Sequence, residues 1–477
     1  MTEAIEQKTE QQKVQELYKL IGERGLYVNT NYDIFTKKPE VISLAGGAGY
    51  KIPLIQEGSK AYASPLLFAT LTSLMNYGTM LITGAPGIGK TTSAEYAGHF
   101  FMNVPLEEIL QSEILGNVQL KTEDVVASLD TVEMINKGRK VVLPTKFLES
   151  KVKIWDEINR TPPDLLSATM KLVDTGKAVY QGVLLQSPPG CLFATANYAD
   201  EGTFHLTPPF LDRFDVAVMV TSPQPWDLRV IRGRGDEKLN GNLEELLYIP
   251  EDLKLDFDKI RKEIKDVTEE TEYDISKVSA FVDFVYSAIR FSEAASNDLA
   301  RATKGNAWQV NQDNALPGHF NDATFTYTLN ELSIRTVKAI NRYAKAYSWL
   351  NGKDEVDLND VKSIMPYFLW HKVQPTSKAL AENPVYANDR IAFIHGLMEK
   401  IENEYNDWLG SDALKTYATT LKLLREGKIG DEVLSKDQKR NAVKNAITRI
   451  GMVDKPYAIT MTSHIASEYN NSANGER

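Results

Sequence analysis

The chain has 477 residues, more than one hydrophobic core usually supports, so two or three domains are expected. Its 43% hydrophobic and 25% charged content is that of an ordinary soluble globular protein, and no apolar run approaches the ~20 residues of a membrane span. A net charge of −10 weighs against nucleic acid as an obligatory partner, a single cysteine (Cys191) excludes an internal disulfide, and six scattered histidines lack metal-ligand spacing.

The first residues are polar, with no basic-then-apolar design of a signal peptide, and a cytoplasmic protein is expected. Val14, Leu17, Tyr18 and Ile21 recur at i, i+3, i+4 and i+7, which predicts an amphipathic helix docked on the protein's own body. After the Gly/Ala-rich "SLAGGAGYKIP", Ser64 and Pro65 supply an N-cap and a first-turn proline for the next helix.

An apolar strand, Met80 to Ile82, then meets Gly84-Ala85-Pro86-Gly87-Ile88-Gly89-Lys90-Thr91, a full G-x-x-x-x-G-K-T phosphate loop, with a helix from about Lys90. The glycines let successive N–H groups face phosphate oxygens, and the helix adds its positive N-terminal end. The stretch Gly84 to Thr92 is the expected nucleotide cradle. In it Lys90 serves the β- and γ-phosphates and the Thr91 hydroxyl serves Mg²⁺.

Further on, "KIWDEINRTPPDLLSATM" ends a strand in two adjacent acids. Such a pair needs a positive charge to serve, and the phosphate loop upstream provides one. Asp156 is the expected partner of the metal, and Glu157 is placed to orient and polarise the attacking water. Lys151 and Lys153 interrupt the apolar run and are expected at the strand's exposed start, with burial beginning at Ile154. "KLVDTGKAVYQGVLLQSPPG" reads as a hairpin turning near Gln181-Gly182. A third strand, Leu192 to Ala196, ends in Asn197, whose amide could bond the γ-phosphate or the attacking water. After Pro208-Pro209 a short helix is expected to carry Asp212-Arg213-Phe214-Asp215.

Together "GAPGIGKT", "IWDEINRTPPDLLSATMKLVDTGKAVYQG", "FATANYADEGTFHLTPPFLDRFD" and "LSIRTVKAINRYAKAYSWLNGKDEVDLNDVKSIMPYFLWHKV" resemble the AAA+ superfamily and, within it, the MoxR-like ATPases, over roughly residues 60 to 380. The resemblance implies that Asn197 is the sensor-1 residue and that Arg213 is an arginine finger acting on a neighbouring subunit's nucleotide. It implies that Arg335 is the sensor-2 arginine, although Leu332 and Ile334 stand where the family usually has Gly and Pro. It also implies ATP and Mg²⁺ as cofactors and a ring of identical subunits, commonly a hexamer. The segment from "ILGNVQL" through "INKGRKVVLPTKFLESK", where Lys137, Arg139 and Lys140 cluster, should contain the helix-2 insert that faces the pore, and the hairpin is the pre-sensor-1 insert.

The expected organisation is an N-terminal extension (1–60), an AAA+ nucleotide-binding α/β domain with a parallel three-layer sheet (61–240), an α-helical lid (245–375) and a helical C-terminal extension (376–477). In the extension Ser435 to Gln438 fits a capping box, and the closing "YNNSANGER" reads as disordered. The expected function is an ATP-hydrolysing chaperone that matures or activates a protein complex, in the family often with a von Willebrand factor A-type partner. The alternative is a nucleic-acid-linked motor of the helix-2-insert group. A guanine-nucleotide switch is disfavoured by the absence of an Asn-Lys-x-Asp motif, and a non-hydrolysing scaffold by the full set of catalytic groups.

Overall fold

The computed structural model describes residues 8–24, 26, 65–197, 203–220, 228, 231–232, 243–267, 278–290, 324–330, 332–426, 428–429, 432–453 and 456–475. Ser64, the Glu-Gly pair at 201–202, most of the N-terminal extension and the long polar stretch after Arg290 lie outside them. The chain forms two compact units, one of residues up to Thr268 with Lys338–Phe368, the other of Glu269–Val337 with Leu369 onward.

The first unit opens with α1 (Glu10–Glu23), capped by a Thr9–Gln12 capping box. Val14, Leu17, Tyr18 and Ile21 are all fully buried, as their spacing predicts. Gln15 and Arg24 tie the helix down by donating to the Leu350 and Leu246 carbonyls. Next come α2 (Pro65–Leu74), β1 (Gly78–Thr83) and α3 (Lys90–Met102). They are followed by α4 (Leu106–Ser112), β2 (Ile114–Leu115), and an insert of β3 (Ala127–Leu129), α5 (Thr131–Lys137) and β4 (Val142–Pro144). The unit continues with β5 (Val152–Asp156), α6 (Pro163–Thr175), the hairpin β6 (Lys177–Tyr180) and β7 (Val183–Gln186), β8 (Cys191–Ala196), α7 (Pro208–Leu211) and β9 (Val216–Met219).

Five parallel strands form the central sheet in the order β2-β5-β8-β1-β9. The interior strands are covered on both faces, so β1 and β8 read as continuous apolar runs rather than alternating ones. The chain leaves β1 toward β2 and leaves β8 toward β9, on the other side of β1. This reversal opens a crevice at the carboxyl ends of β1, β5 and β8, where an open α/β sheet binds ligands. Helix α3 lies tight on the sheet because Gly98 has no side chain; a Cβ there would sit 2.5 Å from Val152 Cγ1.

The hairpin turns at Gln181 (φ 51°) and Gly182 (φ 81°), the two left-handed residues that a two-residue type I′ turn requires. Lys140 Nζ donates to Gln181 Oε1 at 3.0 Å, so the two inserts touch. Helix α5 buries none of its residues and leaves Val132, Met134 and Ile135 exposed.

Two local expectations are corrected. Lys153 is buried, 6% exposed, because β5 is an interior strand and both its faces are covered from Val152 onward; its Nζ donates to the Ser150 carbonyl. Pro208 and Pro209 form the first turn of α7 rather than preceding it, so the helix ends at Leu211 and Arg213 lies beyond its Asp212 C-cap.

The second unit is helical, with Val278–Arg290, Arg390–Gly410, Asp412–Glu426, Lys436–Gly451 and Pro456–Gly475. Phe281 and Phe284 meet Tyr405 at 5.1 and 5.3 Å between ring centroids, and Trp408 extends the cluster. The Ser435–Gln438 capping box forms as expected. The last helix runs to Gly475, through most of the segment read as disordered.

Candidate nucleotide site

The loop after β1 is a cradle built by absent side chains. Gly84, Gly87 and Gly89 have φ of 153°, 74° and 83°. A Cβ on Gly84 would come within 2.7 Å of both the Val220 carbonyl and Ile88 Cδ1. Gly89 caps α3 without any side-chain hydrogen bond, so the first amides of the helix face the loop's interior, the arrangement that receives phosphate. Pro86 and Gly87 are exposed at the lip, and Thr92 follows Thr91 in the first turn of α3.

Lys90 is buried and its ammonium is triply held. Nζ donates to the Ala85 carbonyl at 2.8 Å, the Gly84 carbonyl at 3.2 Å and Asn197 Oδ1 at 2.7 Å. Burial pushes its pKa below the ordinary 10.5, with Asp156 and Glu157 pulling it back up. Thr91 Oγ1 donates to Asp156 Oδ1 at 2.7 Å. Asn197 Nδ2 donates to Glu157 Oε1 at 2.6 Å, and Glu157 Oε2 forms an ion pair with Arg160 Nε at 3.0 Å. The five sequence-predicted residues thus form two short polar chains, Lys90–Asn197–Glu157 and Thr91–Asp156, side by side.

Three contributors escaped the sequence reading. Thr195 donates to Asp156 Oδ1 and accepts the Glu157 N–H at 2.9 Å, so one hydroxyl aligns both acids. It stands two residues before Asn197 on a strand, the spacing that puts both on one face, and this was the available signal. Gly116 donates its N–H to the Asp156 carbonyl at 2.7 Å and lies so close that a Cβ would be 2.2 Å from the Glu157 carbonyl oxygen. Arg160 follows Glu157 by three residues and ends the single 3₁₀ turn Ile158–Arg160. Glu157 itself is left-handed, φ 49° and ψ 45°, an uncommon conformation for a non-glycine residue and one concentrated at functional sites. Nearby Glu113 is pushed up to about 7, by burial first and then by Glu95 and Asp156.

The Thr91 hydroxyl and Asp156 carboxylate are adjacent hard oxygen donors, which suits Mg²⁺. Among the described residues no three His, Cys, Asp or Glu side chains cluster as a metal cage.

Arg213 lies elsewhere. Its Nη1 donates to the Pro209 carbonyl rather than to a residue of the phosphate loop. Its backbone is clamped to β1, where Thr79 Oγ1 donates to the Arg213 carbonyl at 3.0 Å and accepts the Asp215 N–H at 2.8 Å. Buried Asp215 in turn takes both its oxygens to Arg342 Nη2 at 2.9 Å. Arg335 belongs to the second unit, in the first turn of helix Ile334–Leu350.

Residues 79–214 match the family description "AAA domain (dynein-related subfamily)" and residues 329–392 match "AAA lid domain". No curated protein matches the sequence. Among solved structures, one named "a putative ATPase from Cytophaga hutchinsonii ATCC 33406" is similar at 18% identity, with 82% of this chain and 94% of that chain covered and a TM-score of 0.54. At that identity the likeness speaks for the fold. No helix among the described residues is long and apolar enough to cross a membrane. The chain thus carries an AAA domain on a phosphate-loop α/β fold, followed by an AAA lid and further C-terminal helices.

Proposed function

We propose that the chain is a Mg²⁺-dependent ATPase of the MoxR-like kind, working as a homo-oligomeric ring, hexameric by resemblance, that remodels a protein client. The observation that carries the reading is the convergence of Lys90, Thr91, Asp156, Glu157 and Asn197 at the mouth of the glycine cradle. Lys90 turns from the Ala85 carbonyl to the β- and γ-phosphates of ATP. Thr91 and Asp156 hold Mg²⁺, which neutralises charge on those phosphates when bound. Glu157 accepts the proton of the attacking water, and Asn197 holds that water or the terminal phosphoryl in line. Arg213 serves the neighbouring subunit's nucleotide, and Arg335 keeps the sensor-2 role that the resemblance gives it. A von Willebrand factor A-type protein is the partner that the resemblance suggests.

Glu157→Gln keeps the shape and the Asn197 contact but not the basicity. It should bind ATP with wild-type affinity and lose about 10²–10⁴ in turnover. ATP affinity by fluorescence titration and phosphate release measured side by side test this. Wild-type turnover in Glu157→Gln would remove the proposed base.

A further inference from the structure

We infer that Arg342 is a positioning residue for the Arg213 finger: by holding Asp215 it fixes the turn from which that arginine reaches a neighbouring subunit. The inference rests on the finger role proposed for Arg213. Asp215 closes the stretch Asp212-Arg213-Phe214-Asp215 and takes no part in the chemistry proposed above, yet it is only 4% exposed. Burying a carboxylate is costly, and a well-packed apolar pair often holds a fold as well as an ion pair does. What the acid adds at this place is geometry.

Its contacts clamp the turn from two sides. The Thr79 N–H donates to Asp215 Oδ2 at 3.2 Å, and the Asp215 N–H donates to Thr79 Oγ1 at 2.8 Å, whose own proton goes to the Arg213 carbonyl at 3.0 Å. One threonine of β1 thus grips both residues that flank fully buried Phe214. From the other side, Arg342 Nη2 donates to both Asp215 oxygens at 2.9 Å. That guanidinium is presented from a fixed point. The next residue, Tyr343, is fully buried, donates its hydroxyl to Thr72 Oγ1 at 3.1 Å and meets the Phe368 ring at 5.2 Å between centroids. All of these residues belong to the first unit.

The finger itself rests on Pro209, a carbonyl within its own turn. Its place in the subunit is therefore set by the backbone that Thr79 and Asp215 hold. Without Arg342 the Asp215 side chain keeps the Thr79 amide but loses the contact from the helix side, and the turn can shift. Misplacing a catalytic group by an ångström costs on the order of 100-fold in rate.

The test uses the full-length chain at one concentration, with assembly followed by light scattering. Arg342→Gln should lower kcat about 10- to 100-fold with ATP affinity unchanged, because its own phosphate loop and acid pair are intact. Arg342→Lys should restore most of the rate, since a single nitrogen makes both bonds to Asp215. The double variant Asp215→Asn with Arg342→Met leaves no charge in the pair and still offers an acceptor to Thr79, so it should fold and assemble yet stay slow. Subunit mixing then separates positioning from support of the fold. Excess Glu157→Gln subunits, whose fingers are intact, should recover part of the turnover of Arg342→Gln and of the double variant, and excess Arg213→Ala subunits should not. A residue that merely supports the fold damages its own subunit, which no neighbour repairs. Wild-type kcat in the two variants, or no recovery by Glu157→Gln where Arg213→Ala is recovered, overturns the clamp and leaves the finger standing. If Arg213→Ala is not recovered either, the finger falls and the clamp with it.

Discussion

At the scale of single residues, the acid pair depends on a glycine some forty positions upstream. Gly116 donates to the Asp156 carbonyl at 2.7 Å, and the space where its side chain would be is filled by the Glu157 carbonyl, 2.2 Å from an ideal Cβ. No soft side-chain end lies there to yield. Gly116→Ala must move the backbone that carries the base. Overpacking of this kind costs about 1–3 kcal/mol, and displacing a catalytic group by an ångström costs on the order of 100-fold in rate. We expect Gly116→Ala to melt several degrees lower and to lose turnover by about 10- to 100-fold while still binding nucleotide. Calorimetry and a coupled ATPase assay read the two effects separately. Residue identity made Lys90, Thr91, Asp156, Glu157 and Asn197 legible because each is a polar group at a strand end or in a fixed spacing. Gly116 was illegible because its role comes from a contact across the fold, whereas Thr195, two residues before Asn197, and Arg160, three after Glu157, stand at local spacings that do not by themselves name a partner.

At the scale of elements, three of the sheet's five strands (β1, β5 and β8), the phosphate-loop helix and the hairpin could be placed from apolar runs and turn residues, while β2 and β9 were not. Lys153 could not. A lysine in an apolar run reads as solvated unless the strand is known to be interior, and strand order is a long-range property. The burial of Lys153 has a cost that varies with pH. Desolvation brings its pKa from the ordinary 10.5 down to about 8, so between those values the unfolded chain binds a proton that the folded chain does not, and stability rises with pH. Cys191 works against this above pH 9. Burial pushes its pKa from 9.0 up to about 12, so stability is lost across that range. Glu113, raised by burial from 4.5 to about 7, takes stability away as pH rises between those values. The unfolding free energy from urea titration should therefore pass through a shallow minimum between pH 7 and 8 and recover by about 1 kcal/mol toward pH 9. Lys153→Met should flatten the recovery and stabilise the protein at pH 7.5 by about 1–3 kcal/mol. A midpoint that falls steadily from pH 7 to 9 in the wild type would contradict the burial of that amine in solution.

At the scale of the whole molecule, the position of Arg213 carries the proposal of a ring. Its guanidinium rests on the Pro209 carbonyl, away from the phosphate loop of its own chain. An arginine finger is worth about 10³–10⁵ in phosphoryl transfer. Turnover per subunit should therefore climb steeply with protein concentration as the oligomer forms. Arg213→Ala should assemble and bind ATP normally yet hydrolyse it at a small fraction of the wild-type rate. Adding an excess of Glu157→Gln subunits, which keep their fingers, should recover part of the Arg213→Ala activity. Turnover independent of concentration, or no recovery on mixing, would argue for a finger acting within one chain or not at all.

Thr79, near the start of β1, grips both the Arg213 carbonyl and the Asp215 amide, and the same strand runs straight into Gly84. The separation is about five residues of extended chain, roughly 16 Å. In the proposed ring, one end of this strand answers to the subunit's own nucleotide and the other to its neighbour's. It is hydrogen-bonded on both sides, by β8 and by β9, within the parallel sheet. A shift of β1 along its own axis would therefore be felt at both nucleotide sites of that ring.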